Sequence, residues 1–416
     1  MSKSDSQGLH NGFTTANLHN DRRDKPEHGV LHKPIHTSVA YTYDDARDLA
    51  AVFQGKMPGY NYGRQQNPTV NALQNRITLM EQGIASTAFA TGMAAIGSTM
   101  FALLKSGDHV ISSAFLFGNT NSLFNTFRNF GVEVSFVDTT SVENVKAALQ
   151  PNTRLVFTET IANPVTQVAD LEAIGELCKN RQLIYVVDNT MTSPWLFKPK
   201  TVNATFVVNS LTKYIGGHGN ALGGMLTDTG LYDWTRSSNI LELYRKGDPA
   251  LWGTTQIRKK GLRDFGATLG PEAAHHLAVG SETLPMRMDR ASDNALLLAE
   301  FCEAHPKVKR VYFPGLKSHP QYERAKKLFN KPGAIMSIDL ADGVDCFDFL
   351  NKLTCVVASS NLGDTRTLAI PVAHTIFFEM GAERRASMGI GDNLIRLSVG
   401  IEDINDLLAD FENALS

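Results

Sequence analysis

The sequence predicts an α/β protein with a mainly parallel central sheet, followed by a smaller C-terminal α+β domain. Five nearly continuous apolar runs, at 109–114, 133–139, 154–160, 183–190 and 204–210, are typical of strands buried on both faces. Amphipathic stretches separate these runs, with apolar residues recurring at helical spacing. Strands that alternate with helices indicate a parallel sheet covered by helices.

The chain divides into three predicted regions, because 416 residues are too many for one ordinary core. Residues 1–60 are polar and mixed in character, which predicts an N-terminal arm. Residues 61–263 carry the alternating strands and helices of a large domain. In residues 264–416, long helical patterns precede scattered strands, and this predicts a small domain.

Composition argues against several classes of protein. Net charge is −2, so no basic field attracts nucleic acid, and no apolar run approaches the roughly 20 residues of a membrane span. The four cysteines have no C-x-x-C spacing, and no apolar leader opens the chain. We therefore expect a cytoplasmic protein without a metal site. The charge run "KKGLRD" (259–264) is interpreted as a solvated face.

Ligands of parallel sheets bind at the carboxyl ends of the strands, so the residues that follow each strand are the candidates. Gly92 and Met93 open a helix after "ASTAFA", and a helix N-terminus favours an anion such as phosphate. A plain strand-to-helix turn explains the same residues equally well. Asn163 follows "RLVFTE" and precedes Pro164, which holds it extended.

Two charged residues stand out at the next two strand ends. Asp188 ends a very apolar strand, where a carboxylate needs a cation or a donor; a helix cap is the alternative. Lys213 follows Ser210 and Thr212 after the last run. Burial there lowers the pKa of the ammonium, and lysines of this kind form Schiff bases; an ion pair with Asp188 is the alternative.

Together these features describe one ligand. A helix N-terminus with hydroxyls suits a phosphate, a carboxylate suits a ring nitrogen, and a lysine suits an aldehyde. That ligand is pyridoxal 5'-phosphate, whose protonated ring acts as an electron sink.

The chain also resembles a known family. Several segments in the same order are similar to the cystathionine γ-synthase-like (Cys/Met metabolism) branch of fold-type I pyridoxal-phosphate enzymes, over nearly all of residues 35–416. The segments are "YGRQQNPT" (62–69), "TGMAA" (91–95), "ETIANP" (159–164), "VVDNT" (186–190), "SLTKYIGGHGNALGG" (210–224), "GSETLPMRM" (280–288), "HPKVKRVYFPGLKSHPQ" (305–321) and "IRLSVGIED" (395–403).

The resemblance implies a role for each residue at the strand ends. Lys213 would hold the cofactor covalently and move protons, and Asp188 would pair with the ring nitrogen. Asn163 would lie near the ring hydroxyl. The phosphate would be bound by backbone amides and hydroxyls, from Gly92, Met93, Ser210 and Thr212.

The resemblance also implies residues that act on the ring, the substrate and a neighbouring subunit. Phe117 would stack on the ring, Arg396 would bind the substrate α-carboxylate, and Asn361 would add a further carboxylate contact. Tyr62 and Arg64 would reach the phosphate of a neighbour's site. The protein is therefore expected to be a homo-oligomer with shared active sites, at least a dimer and usually a tetramer.

Departures from the family pattern bear on the substrate. Phe117 stands where many members carry a tyrosine, and Asn119 stands where methionine γ-lyases carry a cysteine. Arg366 replaces the glutamate of cystathionine-handling members and would suit a succinyl carboxylate, whereas Ile370 replaces a histidine that usually precedes the proline. "SNLGD" is similar to the O-acylhomoserine sulfhydrylases. We expect γ-replacement on an O-acetyl- or O-succinylhomoserine by sulfide, with cystathionine γ-synthase, a γ-lyase or a non-catalytic regulator as alternatives.

Overall fold

The computed structural model describes residues 12–20 and 27–416 and confirms the predicted fold class. Seven strands form a sheet of order β1-β7-β6-β5-β4-β2-β3. Strands β2 to β6 pair in parallel, and β7 is antiparallel to both of its neighbours, so β1 runs in the same direction as β2 to β6. The strands are β1 (Ala85–Phe89), β2 (His109–Ser113), β3 (Glu133–Val137), β4 (Thr153–Glu159), β5 (Ile184–Asp188), β6 (Phe206–Ser210) and β7 (Gly224–Asp228).

A second sheet of five strands lies in the C-terminal region, with order β10-β11-β12-β9-β8. It is antiparallel except for the short pairing of β10 with β11. Its strands are β8 (Val308–Tyr312), β9 (Ile335–Leu340), β10 (Val357–Ala358), β11 (Leu368–Pro371) and β12 (Leu394–Ser398).

Helices cover the sheets and connect the two regions. A π-helical segment, Ile257–Asp264, continues α9. The α-helices are α1 (Phe13–His19), α2 (Ala46–Phe53), α3 (Pro68–Met80), α4 (Gly92–Leu103), α5 (Gly118–Arg128), α6 (Val142–Ala147), α7 (Leu171–Arg181), α8 (Ser193–Leu196), α9 (Trp252–Gln256), α10 (Pro271–Glu282), α11 (Leu284–Ala304), α12 (Tyr322–Leu328), α13 (Cys346–Lys352), α14 (Ala382–Ser387) and α15 (Ile404–Leu415).

The first sheet is buried on both faces, as its continuous apolar runs predict. Val186 of β5 packs into a core on one face, and Val187 packs into a second core on the other; both are fully buried. Because successive side chains of a strand point to opposite faces, a strand covered on both sides must be apolar throughout.

The predicted N-terminal arm contains a docked helix. Asn17 of α1 donates a hydrogen bond of 2.8 Å to the carbonyl of Ser281, and Phe13 packs on Trp195 with ring centroids 5.2 Å apart. The rest of the arm before residue 12, and residues 21–26, lie outside the described residues. The domain boundaries stay predictions.

The interpretation of residues 259–264 as a solvated face holds for the charged side chains of Lys260, Arg263 and Asp264, which are 34–38% exposed, but not for Gly261, which is buried. These residues belong to the π-helical segment, and Gly261 lies against α4 so closely that a Cβ would come within 2.6 Å of the Ser98 carbonyl oxygen. A charged segment with one small residue can pack that residue inward while its charged heads reach water. No helix among residues 12–20 and 27–416 combines the length and apolar content that membrane crossing requires.

Close packing of glycine backbones joins α10 to the loop after β6. A Cβ on Gly280 would lie 2.0 Å from the carbonyl oxygen of Gly216. We expect Gly280→Ala to lower the free energy of unfolding by on the order of 3 kcal/mol, because backbone lies on both sides of the clash. Gly97→Ala is the matched control, since its nearest neighbour is a Leu123 side-chain carbon at 3.7 Å. Thermal melts followed by circular dichroism compare the two variants; equal melting temperatures would contradict the expectation.

Candidate active site

A cleft of about 710 Å³ opens at the carboxyl ends of β4, β5 and β6, and β12 closes it from the second sheet. It contains ten of the predicted site residues: Gly92, Met93, Phe117, Asn163, Asp188, Ser210, Thr212, Lys213, Asn361 and Arg396. Parallel strands bring residues from distant parts of the sequence to one edge of the sheet, and this explains the clustering.

Lys213 enters this cleft just after β6. Its Nζ donates a hydrogen bond of 2.7 Å to Oδ1 of Asn361. Burial, and then the charge of Arg396, lower the pKa of Lys213 to about 8. Asn361 is therefore the partner of the lysine in place of Asp188, and a neutral partner leaves the ammonium easy to deprotonate.

Arg396 binds the other side of Asn361. It lies on β12, only 1% exposed, and its guanidinium donates to the backbone carbonyls of Ser360 (3.2 Å) and Asn361 (2.7 Å). Its Nε is buried without a partner, and burial lowers the pKa of Arg396 to about 10, which still leaves it charged at neutral pH. A buried guanidinium with an unused donor is suited to a carboxylate.

The loop that carries Lys213 is held by Arg287, which the sequence argument did not single out. Its guanidinium donates to the carbonyls of Tyr214 (2.7 Å), Ile215 (3.2 Å) and Gly280 (2.7 Å). Arg287 lies on α11, and burial lowers its pKa to about 10. Its place in "GSETLPMRM" gave no local signal for the contacts with Tyr214 and Ile215, because those two carbonyls lie some 70 residues away.

The opposite end of the cleft is formed by the first turn of α4. The hydroxyl of Thr91 accepts from the Ala94 amide at 3.0 Å and caps the helix. Gly92 lies so close to Ser210 that a Cβ would come within 2.9 Å of the serine Cβ. The first amides of a helix have no acceptor within the helix, so this turn with the Ser210 hydroxyl is suited to a phosphate.

Thr212 has a partner within its own loop. Its Oγ1 accepts from the Gly223 amide at 3.0 Å. The predicted role of this hydroxyl on the phosphate stays a prediction, because the structure gives it a bracing role as well.

Asp188 and Asn163 also line the cleft. Asp188 accepts from the Thr190 amide at 2.9 Å, and burial raises the pKa of this carboxyl. Asn163 precedes a cis proline and is 1% exposed, and its Oδ1 has no hydrogen-bond partner. A buried amide oxygen without a partner is costly, and this indicates that a ligand group completes it.

Glu159 is a site residue that the sequence argument missed. It ends β4 beside Asp188 on β5, lines the cleft, and accepts from the Phe117 amide at 3.0 Å. Burial, and then the charge of Asp188, raise the pKa of Glu159 to about 8. The signal was present in the sequence, because "RLVFTE" ends in the acidic residue Glu159, just as the next strand ends in Asp188.

Three predicted residues lie outside the cleft of their own chain. Tyr62 is 40% exposed, with the Arg64 guanidinium 5.3 Å from its ring centroid, so their reach to a neighbouring subunit stays a prediction. Arg366 pairs with Asp364 at 2.9 Å, and its side chain is 63% exposed. The expected cation for a succinyl carboxylate is therefore not in this cleft, since Asp364 holds the guanidinium elsewhere.

The described residues fit pyridoxal phosphate. Lys213 supplies an amine with a lowered pKa, and the first turn of α4 supplies an anion site. Asp188 supplies the carboxyl for a ring nitrogen, and Asn163 supplies a buried oxygen that lacks a partner. Each is a group that this cofactor requires.

Comparisons with known proteins support the cofactor that this site indicates. The family described as Cys/Met metabolism PLP-dependent enzyme matches residues 14–416. The chain is 39% identical to an L-methionine gamma-lyase of Fusobacterium nucleatum, over 93% of this chain and 94% of that protein. It is 36% identical to an O-succinylhomoserine sulfhydrylase of Pseudomonas aeruginosa, over 97% and 95% of the two chains.

A solved structure is also similar. It is a putative O-acetylhomoserine (thiol)-lyase of Campylobacter jejuni that carries a pyridoxyl-lysine phosphate. The TM-score is 0.92 at 30% identity, over 97% of this chain and 99% of that one. Pyridoxal 5'-phosphate is therefore the cofactor of this chain, as the strand-end residues predicted.

Removing the amine tests the assignment of Lys213. We expect Lys213→Ala to lose the visible absorption band of the bound cofactor and to lose turnover, because no other amine lines the described cleft. Lys198→Ala is the control, since Lys198 is a half-buried lysine outside the cleft whose Nζ donates to the Pro194 carbonyl. Persistent turnover in Lys213→Ala would show that the cofactor is held elsewhere.

The lowered pKa of Lys213 predicts how cofactor uptake depends on pH. Only the neutral amine attacks an aldehyde, so uptake by the cofactor-free enzyme should become faster as pH rises through about 8. Asn361→Asp sets a carboxylate against Nζ, stabilises the ammonium, and should move the midpoint upward by about 1 pH unit. Stopped-flow absorbance at a series of pH values measures both midpoints, and an unshifted midpoint would contradict the role of Asn361.

Proposed function

The chain belongs to the Cys/Met metabolism PLP-dependent enzyme family, and on that premise we propose that it replaces the acyloxy group of an O-acyl-L-homoserine by sulfide. The products are homocysteine and a carboxylic acid. The C–O bond at Cγ breaks with its electron pair on oxygen, and a C–S bond forms at the same carbon. The reaction needs no oxidant or reductant.

The observation that supports sulfide is the charge of the cleft. Its charged lining residues are Glu159, Asp188, Lys213 and Arg396. Lys213 and Asp188 are taken by the cofactor, Arg396 by the substrate carboxylate, and Glu159 keeps a proton below its pKa of about 8. Among the lining residues of this chain, no charge then remains for the ammonium and carboxylate of cysteine as a second amino acid, whereas sulfide needs none.

Different residues of the chain bind the substrate and transfer protons in the proposed reaction. Pyridoxal phosphate supplies the electron sink when bound. Arg396 orients the amino acid through its α-carboxylate, and Asn361 lies between Arg396 and Lys213, so the bound Cα is held next to the amine. The Lys213 amine removes the Cα proton and returns a proton at a later step. Phe117 has no hydroxyl, so proton movement at this place falls to Lys213.

The same lack of an uncommitted charge favours the acetyl ester of homoserine over the succinyl ester. A succinyl group would bring a carboxylate into a cleft whose two cations are already committed. Arg366, the cation expected to meet it, is paired with Asp364 outside the cleft. Burial of an unpaired carboxylate is costly, so O-acetylhomoserine is the preferred substrate of the described chain.

A second candidate is γ-elimination from methionine. It is favoured by the 39% identity to an L-methionine gamma-lyase and by apolar lining residues such as Phe117, Leu222 and Ile376, which suit a thioether. The two reactions share the steps at Cα. They differ in whether sulfide or water completes the reaction.

Product analysis separates these candidates. We expect O-acetylhomoserine with sulfide to give homocysteine, with kcat/KM at least about tenfold above that for O-succinylhomoserine, a difference of about 1.4 kcal/mol. Cysteine in place of sulfide should give little cystathionine. Release of 2-oxobutyrate and ammonia from L-methionine alone, at a rate above that of homocysteine formation, would instead establish the lyase.

A further inference from the structure

Glu159 lies at the centre of the active site without a role in the chemistry above. It ends β4, lies opposite Asp188 in the sheet register, and is 7% exposed. Its Oε1 accepts from the Phe117 amide at 3.0 Å, and its Oε2 is buried without a hydrogen-bond partner. One carboxyl oxygen is therefore used by the protein and the other is left over.

This arrangement fits a protonated carboxyl better than an ionised one. In a protonated Glu159, Oε1 is the carbonyl oxygen and accepts from the Phe117 amide. Oε2 then carries the hydroxyl, a donor for which the described chain supplies no acceptor. An ionised pair of carboxylates at adjacent strand ends would repel in a dry site. Between the two acids, Asp188 is the one that a ring nitrogen would keep ionised.

The charged groups around Glu159 agree with this assignment. Asp188 on β5 acts on it directly and, together with burial, raises its pKa to about 8, while backbone amides of Phe117 and Asn163 act in the opposite direction. Lys213 and Arg396 are the cations of the same cleft, and neither forms a salt bridge with Glu159 in the described chain.

We propose that Glu159 is a positioning residue that works in its neutral form, holding Phe117 in place through Oε1 and donating a hydrogen bond into the cleft from Oε2. The proposal rests on the proposed function, since it concerns the same cofactor-bearing cleft. Phe117 is the first residue before α5 and lines the cleft, so the bond to its amide fixes the start of that helix at the cleft wall. Ionisation above pH 8 removes the donor and adds a second negative charge beside Asp188.

Two substitutions separate a neutral carboxyl from a carboxylate. Glu159→Gln copies the neutral form, because its amide oxygen accepts from Phe117 and its NH₂ group donates from the place of Oε2. Glu159→Leu has a similar volume but neither polar atom. Glu81→Gln is the matched control, since Glu81 is fully buried with a pKa raised to about 7 but lies outside the cleft, against Asn189 and Asn209.

The first readout is the visible circular dichroism of the bound cofactor, followed against pH without substrate. The wild-type holoenzyme should show a transition near pH 8, which Glu159→Gln abolishes and Glu81→Gln retains. If Glu159→Gln keeps the wild-type transition, Glu159 is not the titrating group and the proposal fails. This readout does not depend on turnover, so failure of the proposed function leaves it decisive.

The second readout is kcat/KM with O-acetylhomoserine and sulfide at pH 7 and pH 9. Wild type should fall about tenfold at pH 9, where roughly a tenth of Glu159 is protonated, whereas Glu159→Gln should stay within about threefold at both pH values. Glu159→Leu should lose at least about tenfold at pH 7. If Glu159→Gln is as impaired as Glu159→Leu at pH 7, or if Glu159→Leu is unimpaired, the proposal is overturned.

Discussion

The active site depends on two cations that share a desolvated cleft. Lys213 and Arg396 lie on opposite sides of Asn361, which accepts from the first through its side chain and from the second through its carbonyl. Among the ion pairs of residues 12–20 and 27–416, none neutralises either cation. Burial and mutual repulsion therefore favour loss of a proton, and the lysine loses it far more easily than a guanidinium does. Burial of the pair thus leaves an amine that is easily deprotonated next to a guanidinium that stays charged and available for a carboxylate.

Two buried cations close together destabilise the folded state, so the surrounding structure must hold them in place. Arg287 fixes the loop after Lys213 through two of its backbone carbonyls and binds a third carbonyl on α10, and the contact of Gly280 with Gly216 packs that loop against α10. Both are contacts to backbone, which cannot relax as a flexible side chain can. The stability of α10 and α11 therefore supports a site whose own charges oppose folding.

Local patterns were enough to predict the sheet and most of the cleft. Continuous apolar runs marked the strands, and the rule that ligands bind at their carboxyl ends located Asp188 and Lys213. Local patterns did not predict the side-chain positions that a distant or a competing contact determines. Arg287 meets carbonyls about 70 residues away, and Arg366 is drawn aside by Asp364 two positions earlier. Glu159 required no distant information; the rule that found Asp188 applies to it equally.

The position of the charges also indicates which part of the cleft would discriminate between substrates in the proposed function. In the proposed function, Lys213, Asn361 and Arg396 would bind the amino-acid portion of the substrate, so they would not distinguish one γ-substituent from another. Discrimination must come from the uncharged lining that includes Phe117, Leu222 and Ile376. An apolar pocket discriminates between two substrates that differ by one methylene by only about 1–3 kcal/mol. It rejects a substrate that carries an unpaired charge far more strongly. On the proposed function, the cleft would therefore select against charge on the γ-substituent and the nucleophile, and only weakly among neutral groups of similar size.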